Sequence, residues 1–170
     1  KHLVGRGKAF AAIEVDARAL EVLRGRFADA EFVHSDVLGV RLDLLSKKYG
    51  DKLRIVGNIP YYITSEILFW LFDAREAVRD AILMMQLEVA QRLIAKPRTK
   101  EYGILSVFSQ FYSSPELLFQ VSKNSFCPKP NVDSAVVRLN MVDRLPAHAE
   151  RLFRNVVRST FGKRRKTLYN

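Results

Sequence analysis

Asn58-Ile59-Pro60-Tyr61 is a short motif whose oxygens and ring could act on the amine of a nucleobase. An adenine amine is a poor nucleophile, because its lone pair is delocalised into the ring. Two acceptors aimed at its two hydrogens would draw the nitrogen towards tetrahedral geometry, and the Asn58 side chain and the Ile59 carbonyl could supply them. Pro60 restricts the backbone, and Tyr61 offers a ring for stacking. The alternative is an ordinary turn, since Asn-x-Pro is common in loops.

Two acidic residues could bind the adenosine part of a cofactor. Glu14 and Asp36 each stand at the end of a short predicted strand. A carboxylate at the end of a strand can accept hydrogen bonds from both ribose hydroxyls, as Glu14 would, and Asp36 could accept from an adenine amine. Glu14 could equally be a surface acid, and Asp36 could cap the next segment. Together the two acids favour an adenosine-bearing cofactor.

Phe126 precedes the proline-rich stretch Cys127-Pro128-Lys129-Pro130. An aromatic ring on a loop stiffened by proline could close over a base from the side opposite Tyr61. A phenylalanine of the core is the alternative interpretation. The three histidines and the single cysteine share no ligand spacing, so we expect no metal site.

The net charge of +10 indicates a polyanionic partner. Residues 151–170 contain seven cations and no acid, and these cations are Arg151, Arg154, Arg158, Lys163, Arg164, Arg165 and Lys166. The three arginines have the spacing of one helical face. We interpret the segment as a surface that contacts RNA phosphates, which gains affinity through counterion release. A solvated basic helix end is the alternative.

The positions of these residues follow from an alternation of predicted strands and helices. The pattern predicts strands over 10–15, 31–35, 53–57, 81–85, 117–121 and 135–139, and helices over 17–27, 42–49, 64–72, 87–95, 102–112 and 147–160. Such an order predicts an α/β fold with a mostly parallel sheet covered by helices on both faces. Ligands bind at the carboxyl ends of such strands, where Glu14, Asp36 and Asn58 are placed.

The size and composition of the chain restrict its class. Its 170 residues fit one domain, or one domain and the start of another. No apolar run approaches the roughly 18 residues of a membrane span, and one cysteine fits a reducing cytosol. We expect a cytoplasmic monomer that does not bind membranes. Because the chain begins at Lys1, we expect it to be a piece of a longer protein.

Five segments of the sequence resemble the KsgA-type ribosomal RNA adenine dimethyltransferases. They are AIEVD (12–16), SDVL (35–38), NIPYYIT (58–64), MQLEVAQRL (85–93) and FCPKPNVDSAVVRL (126–139). A sixth, FGKRRKTLYN (161–170), resembles the start of the family's helical C-terminal domain. The resemblance implies a Rossmann-like class I methyltransferase domain over 1–142 and the start of the C-terminal domain over 143–170. The first strand of the family, with its glycine-rich loop, is missing from this sequence.

The resemblance also implies an activity. The enzyme would transfer methyl groups from S-adenosylmethionine to the amines of two adjacent adenosines near the 3′ end of small-subunit (16S) rRNA. Glu14 would bind the cofactor ribose and Asp36 its adenine amine, with Val15 and Val37 alongside. Asn58 to Tyr61 would bind the target amine, with Asn58 also next to the cofactor, and Phe126 would sandwich the target base.

Two alternatives share much of this pattern. The 23S rRNA methyltransferases that confer macrolide resistance have the same Asn-Ile-Pro-Tyr loop, although the segment from Arg164 to Leu168 favours the small-subunit type. A noncatalytic RNA-binding assembly factor could use the same scaffold. The presence of Glu14, Asp36 and Asn58 argues against lost chemistry. A DNA adenine methyltransferase fits the remaining segments less well.

Overall fold

The computed structural model describes residues 7, 9–28, 30–142 and 147–162. The backbone contacts divide the chain into two compact units, Lys1–Asp51 and Lys52–Asn170. This division does not coincide with the domain boundary that we expect at residues 142 and 143, and that boundary stays a prediction.

Strands and helices follow one another along the described residues in the order that the sequence predicts. The strands are β1 (Ala11–Glu14), β2 (Glu31–His34), β3 (Leu53–Asn58), β4 (Val78–Gln86), β5 (Ser113–Val121) and β6 (Ser134–Met141). The helices are α1 (Ala17–Arg26), α2 (Leu42–Tyr49), α3 (Thr64–Asp73), α4 (Leu87–Ile94), α5 (Ile104–Tyr112) and α6 (Ala147–Gly162).

The first unit contains a parallel pair of strands and two helices. Strands β1 and β2 pair in register from Ala11 opposite Glu31 to Glu14 opposite His34. Leu20 is buried on the apolar face of α1, and the first residue of α2, Leu42, is also buried. Because both strands end at the same edge, Glu14 and the residues that follow β2, including Asp36, lie at that edge.

The second unit is built on a four-stranded sheet in the order β3-β4-β6-β5. Strand β4 runs parallel to β3, and β6 is antiparallel to both β4 and β5. Three strands therefore share one direction, as expected, and β6 is the exception. The loop 122–133 between β5 and β6 contains no α-helix, whereas a parallel connection needs a crossover segment, usually a helix.

The core of the second unit lies between this sheet and helices α3 and α5. Phe72 of α3 and Phe108 of α5 are fully buried, and both rings stack on Tyr112, with centroids 5.7 Å and 6.0 Å away. Strand β4 lies inside the sheet and buries Val78, Ala81, Leu83 and Met85. This packing makes the sheet a firm base for the loops at its edge.

Two strands begin earlier than the sequence predicts. Strand β4 starts at Val78 and includes the buried Asp80, whose carboxylate accepts hydrogen bonds from Arg54 at 2.8–3.1 Å. Strand β5 starts at Ser113, whose hydroxyl donates to the carbonyl of Ser109 at 2.7 Å. These partners offset the cost of burying polar groups, which the apolar pattern alone does not reveal.

Candidate functional site

Asn58 is the last residue of β3, and the turn that follows is fastened to the sheet. The Ile59 amide donates to the carbonyl of Met84 on β4 at 3.1 Å, which extends the pairing one residue beyond the strand. Ile59 is buried. Within the described residues, the Asn58 side chain and the Ile59 carbonyl have no hydrogen-bond partner. Both oxygens that the sequence indicates as acceptors are therefore available to a ligand.

The backbone after Asn58 is held by a short 3-10 turn at residues 61–63. The amide of Ile63 donates to the Pro60 carbonyl at 3.2 Å, and the Thr64 hydroxyl reaches the carbonyls of Pro60 and Tyr61 at 3.2 Å each. Thr64 is buried at the start of α3. The turn thus has little freedom to move its carbonyls.

The Tyr61 side chain is held by a hydrogen bond to a residue of β6. Its hydroxyl lies 2.7 Å from Oγ of Ser134, a fully buried residue that begins β6. This contact fixes the direction of the long axis of the Tyr61 side chain. Ser134 belongs to one of the segments that carry the family resemblance, but the sequence does not indicate its pairing with Tyr61, because the two residues are far apart in the chain.

The loop that carries Phe126 is closed at its base by Asp133. The Asp133 carboxylate accepts from the Lys123 amide at 2.8 Å, and its carbonyl accepts from the Leu87 amide at 3.0 Å. Asp133 therefore joins both ends of the loop and the start of α4, a function that the sequence analysis missed. Phe126 is half-buried and is not a core residue. Cys127, the only cysteine of the chain, is exposed beside it.

The two segments meet at one open cavity of about 340 Å³. Its lining residues are Asn58, Ile59, Pro60, Tyr61, Phe126, Pro128 and Pro130. The structure thus brings together all five residues that we expect to be catalytic. The cavity lining includes polar acceptors and two aromatic residues, and its volume is in the range of about 300–1,000 Å³ typical of ligand sites. Pro128 and Pro130 are additional lining residues that the sequence analysis treated only as stiffening the loop.

Glu14 ends β1 and organises the backbone after it. One carboxylate oxygen accepts from the amides of Val15 and Asp16 at 2.8 Å and 2.9 Å. The next acid, Asp16, caps α1 by accepting from the Arg18 amide at 2.8 Å. Within the described residues, the second oxygen of Glu14 has no partner. Val15 is exposed beside it, so this strand end presents a carboxylate oxygen and an apolar side chain.

Asp36 performs the capping that the sequence analysis considered as the alternative. Its Oδ1 accepts from the Leu38 amide at 2.9 Å at the start of the 3-10 turn 37–39. Its side chain is exposed, and Val37 next to it is half-buried. Capping uses one carboxylate oxygen, so it is compatible with a ligand on the other. Free carboxylate oxygens match the hydroxyl and amine donors of an adenosine.

The basic face that we expect on α6 is interrupted at Arg154. Arg151 and Arg158 are exposed, but the Arg154 side chain is only 18% exposed and pairs with Glu150 and Asp73 at 2.8 Å and 2.5 Å. The prediction of one exposed ridge is therefore wrong for Arg154, because this residue lies at the border of the buried stripe of the helix. The segment from Lys163 to Lys166 lies outside the described residues.

Five side chains, which we name the α6 anchor, hold this helix on the second unit. They are Asp73, Arg75, Tyr112, Glu150 and Arg154. Glu150 accepts from Arg75 at 2.8 Å and from the Tyr112 hydroxyl at 2.9 Å. Phe153 stacks on Phe111 with ring centroids 3.9 Å apart. The start of α6 is thus part of the same packed body as the sheet.

Burial and pairing shift the pKa values of two residues in the α6 anchor, Tyr112 and Glu150. Desolvation, together with the hydrogen bond to Glu150, raises the pKa of Tyr112 to about 12. Burial raises the pKa of Glu150, but hydrogen bonds from Tyr112 and Arg154 and the charges of Arg75 and Arg154 outweigh it. The pKa of Glu150 therefore lies below its usual value, and the carboxylate is charged at neutral pH.

Metal sites and membrane spans are both absent from the described residues. These residues contain no group of three or more His, Cys, Asp or Glu side chains placed to hold a metal ion. Among the described helices, none has the length and apolar character required to cross a membrane.

Comparison with solved structures defines the class of the fold. The chain is similar to a dimethyladenosine transferase from Plasmodium falciparum, with a TM-score of 0.77, 26% identity, and coverage of 95% of this chain and 58% of that one. It is also similar to the 23S rRNA methyltransferase ErmE, with a TM-score of 0.70, 28% identity, and coverage of 93% and 64%. The fold is therefore the Rossmann-like α/β fold of rRNA methyltransferases.

The family model described as ribosomal RNA adenine dimethylase matches residues 1–170, and the chain belongs to this family. Three curated relatives are each named ribosomal RNA small subunit methyltransferase A. They come from Koribacter versatilis (40% identity, 99% of this chain, 65% of the relative), Chlorobaculum parvum (45%, 95%, 58%) and Salinibacter ruber (43%, 100%, 58%). The chain thus spans between 58% and 65% of the length of these relatives.

Proposed function

We propose that the protein containing this chain transfers methyl groups to the amines of two adjacent adenosines near the 3′ end of 16S rRNA. The observation that carries this proposal is the cavity in which the Asn58–Tyr61 turn and Phe126 meet. Family membership and the small-subunit names of its relatives support the choice of substrate. Work on ribosomal subunits would take place in the cytoplasm, and we infer a monomer.

The target adenosine would leave its stack and enter the cavity between Tyr61 and Phe126. An aromatic ring can stack on a flipped base whatever the RNA sequence around that base. The Asn58 side-chain oxygen and the Ile59 carbonyl would then accept the two hydrogens of its amine. These contacts strengthen as the nitrogen becomes tetrahedral, so they stabilise the transition state more than the ground state.

The cofactor would be S-adenosylmethionine, which supplies an electrophilic methyl group when bound. Glu14 would accept from its ribose hydroxyls and Asp36 from its adenine amine, while Val15 and Val37 would pack beside the adenine. Asn58 would also lie next to the cofactor. The free carboxylate oxygens of Glu14 and Asp36 fit these donors in their chemistry.

Positioning would account for most of the rate. Holding the amine nitrogen in line with the methyl group turns a bimolecular step into an effectively unimolecular one. The amine nitrogen would bond to the methyl carbon as the bond from that carbon to the cofactor sulfur breaks, which would leave sulfur as a neutral thioether. The nitrogen would then be cationic and would lose its proton to solvent. This chain therefore needs no general base in the cavity.

RNA binding would depend on the basic C-terminal part of the chain. Arg151 and Arg158 are exposed on α6, and Lys163, Arg164, Arg165 and Lys166 follow in the sequence. We assign phosphate contacts to these six residues. Arg154 is assigned to the α6 anchor instead.

Methyl transfer from labelled cofactor to separated small and large ribosomal subunits tests the proposal. We expect label on adenine amines of the small-subunit RNA. The structural similarity to ErmE makes large-subunit modification the second candidate, and label on 23S rRNA would establish it. Binding of small subunits without transfer would establish the noncatalytic alternative.

The variant Asn58→Ala tests the mechanism in the same assay. Because it removes one of two acceptors for the amine, we expect kcat to fall by about 10²–10³, the usual effect of losing one such transition-state contact. RNA affinity should remain within about twofold, since phosphate contacts supply most of it. Asn140→Ala, an exposed asparagine on β6, is the matched control and should behave like the unaltered protein. Full activity of Asn58→Ala would contradict the mechanism.

A further inference from the structure

Tyr62 is the most exposed large hydrophobic side chain in the described part of the protein, at 83%. It occupies the middle of the 3-10 turn 61–63, between the half-buried Tyr61 and Ile63. Successive residues of such a turn point about 120° apart. Since Tyr61 is turned inward to Ser134, Tyr62 is directed away from the sheet, beside the cavity that Tyr61 lines.

A cation lies in the loop that supplies the other lining residues of the cavity. Lys129 is exposed and lies between Pro128 and Pro130, both of which line the cavity. Within the described residues, Lys129 forms no ion pair. The prolines on both sides limit the backbone freedom of this position. Residues next in sequence to the cavity lining thus provide an exposed aromatic ring, that of Tyr62, and the Lys129 ammonium group, which is unpaired among the described residues.

We propose that Tyr62 and Lys129 form a binding site for the nucleotide next to the target adenosine. The Tyr62 ring would stack on the neighbouring base, and the Lys129 ammonium would pair with a phosphate of the same strand. Stacking accepts any base because every base has an aromatic face. This inference rests on the proposed function, since a flanking nucleotide exists only if the cavity receives a base of RNA.

The site has a specific consequence for a substrate with two adjacent targets. While one adenosine occupies the cavity, its neighbour is held on Tyr62 rather than in the RNA stack. The neighbour is therefore already unstacked when the strand moves by one nucleotide. Replacement of Tyr62 by alanine should consequently slow modification of the second adenosine more than that of the first.

Two fluorescent RNAs test the site directly. Each is the same small-subunit RNA hairpin with 2-aminopurine, whose emission is quenched by stacking, either at the target position or at the neighbouring position. Both are titrated with the full-length protein. We expect an emission change at both positions, and we expect the change at the neighbouring position to depend on Tyr62.

Three variants separate stacking from other effects. Tyr62→Phe should retain the neighbouring-position signal, whereas Tyr62→Ala should lose it and bind RNA about tenfold more weakly, which corresponds to about 1.4 kcal/mol. Lys129→Gln should reduce the salt slope of binding by about 0.7, as for one phosphate contact on a single strand. Phe119→Ala, an exposed aromatic on the edge strand β5, is the control and should change neither signal.

The outcomes distinguish this inference from the proposed function. If the target-position signal responds but the neighbouring-position signal is the same in Tyr62→Ala, the Tyr62 site is refuted and the proposed function stands. If neither position responds with the unaltered protein, both are refuted. A loss of signal in Tyr62→Ala that Tyr62→Phe does not show supports the site.

Discussion

At the residue scale, the contact between Tyr61 and Ser134 connects two parts of the site that are remote in sequence. The Ser134 hydroxyl is fully buried, and in the described residues its partner is Tyr61, at 2.7 Å. A buried hydroxyl without a partner costs about 1–3 kcal/mol. The geometry of the cavity is therefore coupled to the stability of the sheet.

This coupling predicts a rescue in a double variant. Tyr61→Phe keeps the ring but leaves Ser134 unpaired, so we expect the free energy of unfolding to fall by about 1–2 kcal/mol. Adding Ser134→Ala removes the unpaired hydroxyl and should recover about half of that decrease. Urea denaturation of the four proteins of the cycle measures the coupling. Strictly additive effects would show that the contact does not act as a unit.

The residues that line the candidate site were largely predictable from the sequence, but the residues that hold them in place were not. Asn58 and Phe126 stand out because of the residue types and prolines around them. Ser134 and Asp133 were recognised only as members of a matching segment. Tyr61 becomes a neighbour of Ser134, and Lys123 a neighbour of Asp133, only when β6 enters the sheet between β4 and β5.

At the element scale, helix α6 shows where periodicity is insufficient. Arg151, Arg154 and Arg158 fall within an arc of about 60° at 100° per residue, which suggests one basic face. The buried stripe of the helix passes through Phe153 and Val157. The buried stripe includes the edge of that arc at Arg154. Arg154 therefore forms ion pairs, whereas Arg151 and Arg158 face water. Helical spacing identifies a face but does not say how far the core extends.

The α6 anchor predicts a stability that depends on acid pH. In the folded protein, the pKa of Glu150 lies below its ordinary value of 4.5. The contribution of Glu150 to the free energy of unfolding is therefore complete above pH 4.5. It is lost as pH falls through the lower, folded value. Glu150→Gln should lower the free energy of unfolding by about 3 kcal/mol at neutral pH, the usual cost of breaking a largely buried ion pair. It should also weaken the acid dependence.

Glu76→Gln is the matched control for this measurement. Glu76 lies 3.9 Å from the same Arg75 guanidinium, but its side chain is 83% exposed, compared with 15% for Glu150. We expect a change below about 0.5 kcal/mol, as for most surface positions. Denaturant unfolding between about pH 3 and pH 7, which spans the titration of the carboxylate, compares the two. Equal effects of both substitutions would contradict a special role for Glu150.

The order of strands and helices could be predicted because both periodicities are strong in this sequence. Helix α2 has the predicted bounds, and most other elements differ by one to three residues. The direction of β6 was not predicted, since no local pattern records which strand will be its neighbour. The early starts of β4 and β5 were also missed, because tertiary hydrogen bonds satisfy Asp80 and Ser113.

At the scale of the whole molecule, the sequence has 28 cations and 18 acids, and the proposed RNA binding depends on how these charges are distributed. Exposed cations occur in both units, including Arg18, Arg24, Arg26 and Lys47 in the first. A uniform positive charge would attract RNA everywhere, whereas a localised contact releases a defined number of counterions. The two cases differ in the salt dependence of binding.

Replacing Lys163, Arg164, Arg165 and Lys166 with alanine should therefore weaken RNA binding and flatten its salt dependence. We expect the slope to fall by about 0.7–0.9 for each phosphate that the variant no longer neutralises. Alanine at Arg18, Arg24, Arg26 and Lys47 removes the same charge and serves as the control. Fluorescence anisotropy between low and high salt gives both slopes. An equal change in the two variants would mean that net charge, and not a localised surface, governs binding.

The exposed thiol of Cys127 lies between Phe126 and Pro128, two residues that line the cavity. Since these 170 residues contain a single cysteine, a thiol reagent marks one defined position within them, at the cavity wall. A spin label or fluorophore attached there gives distances to groups placed along an RNA. The proposed approach of an RNA strand to the cavity can therefore be followed by spectroscopy.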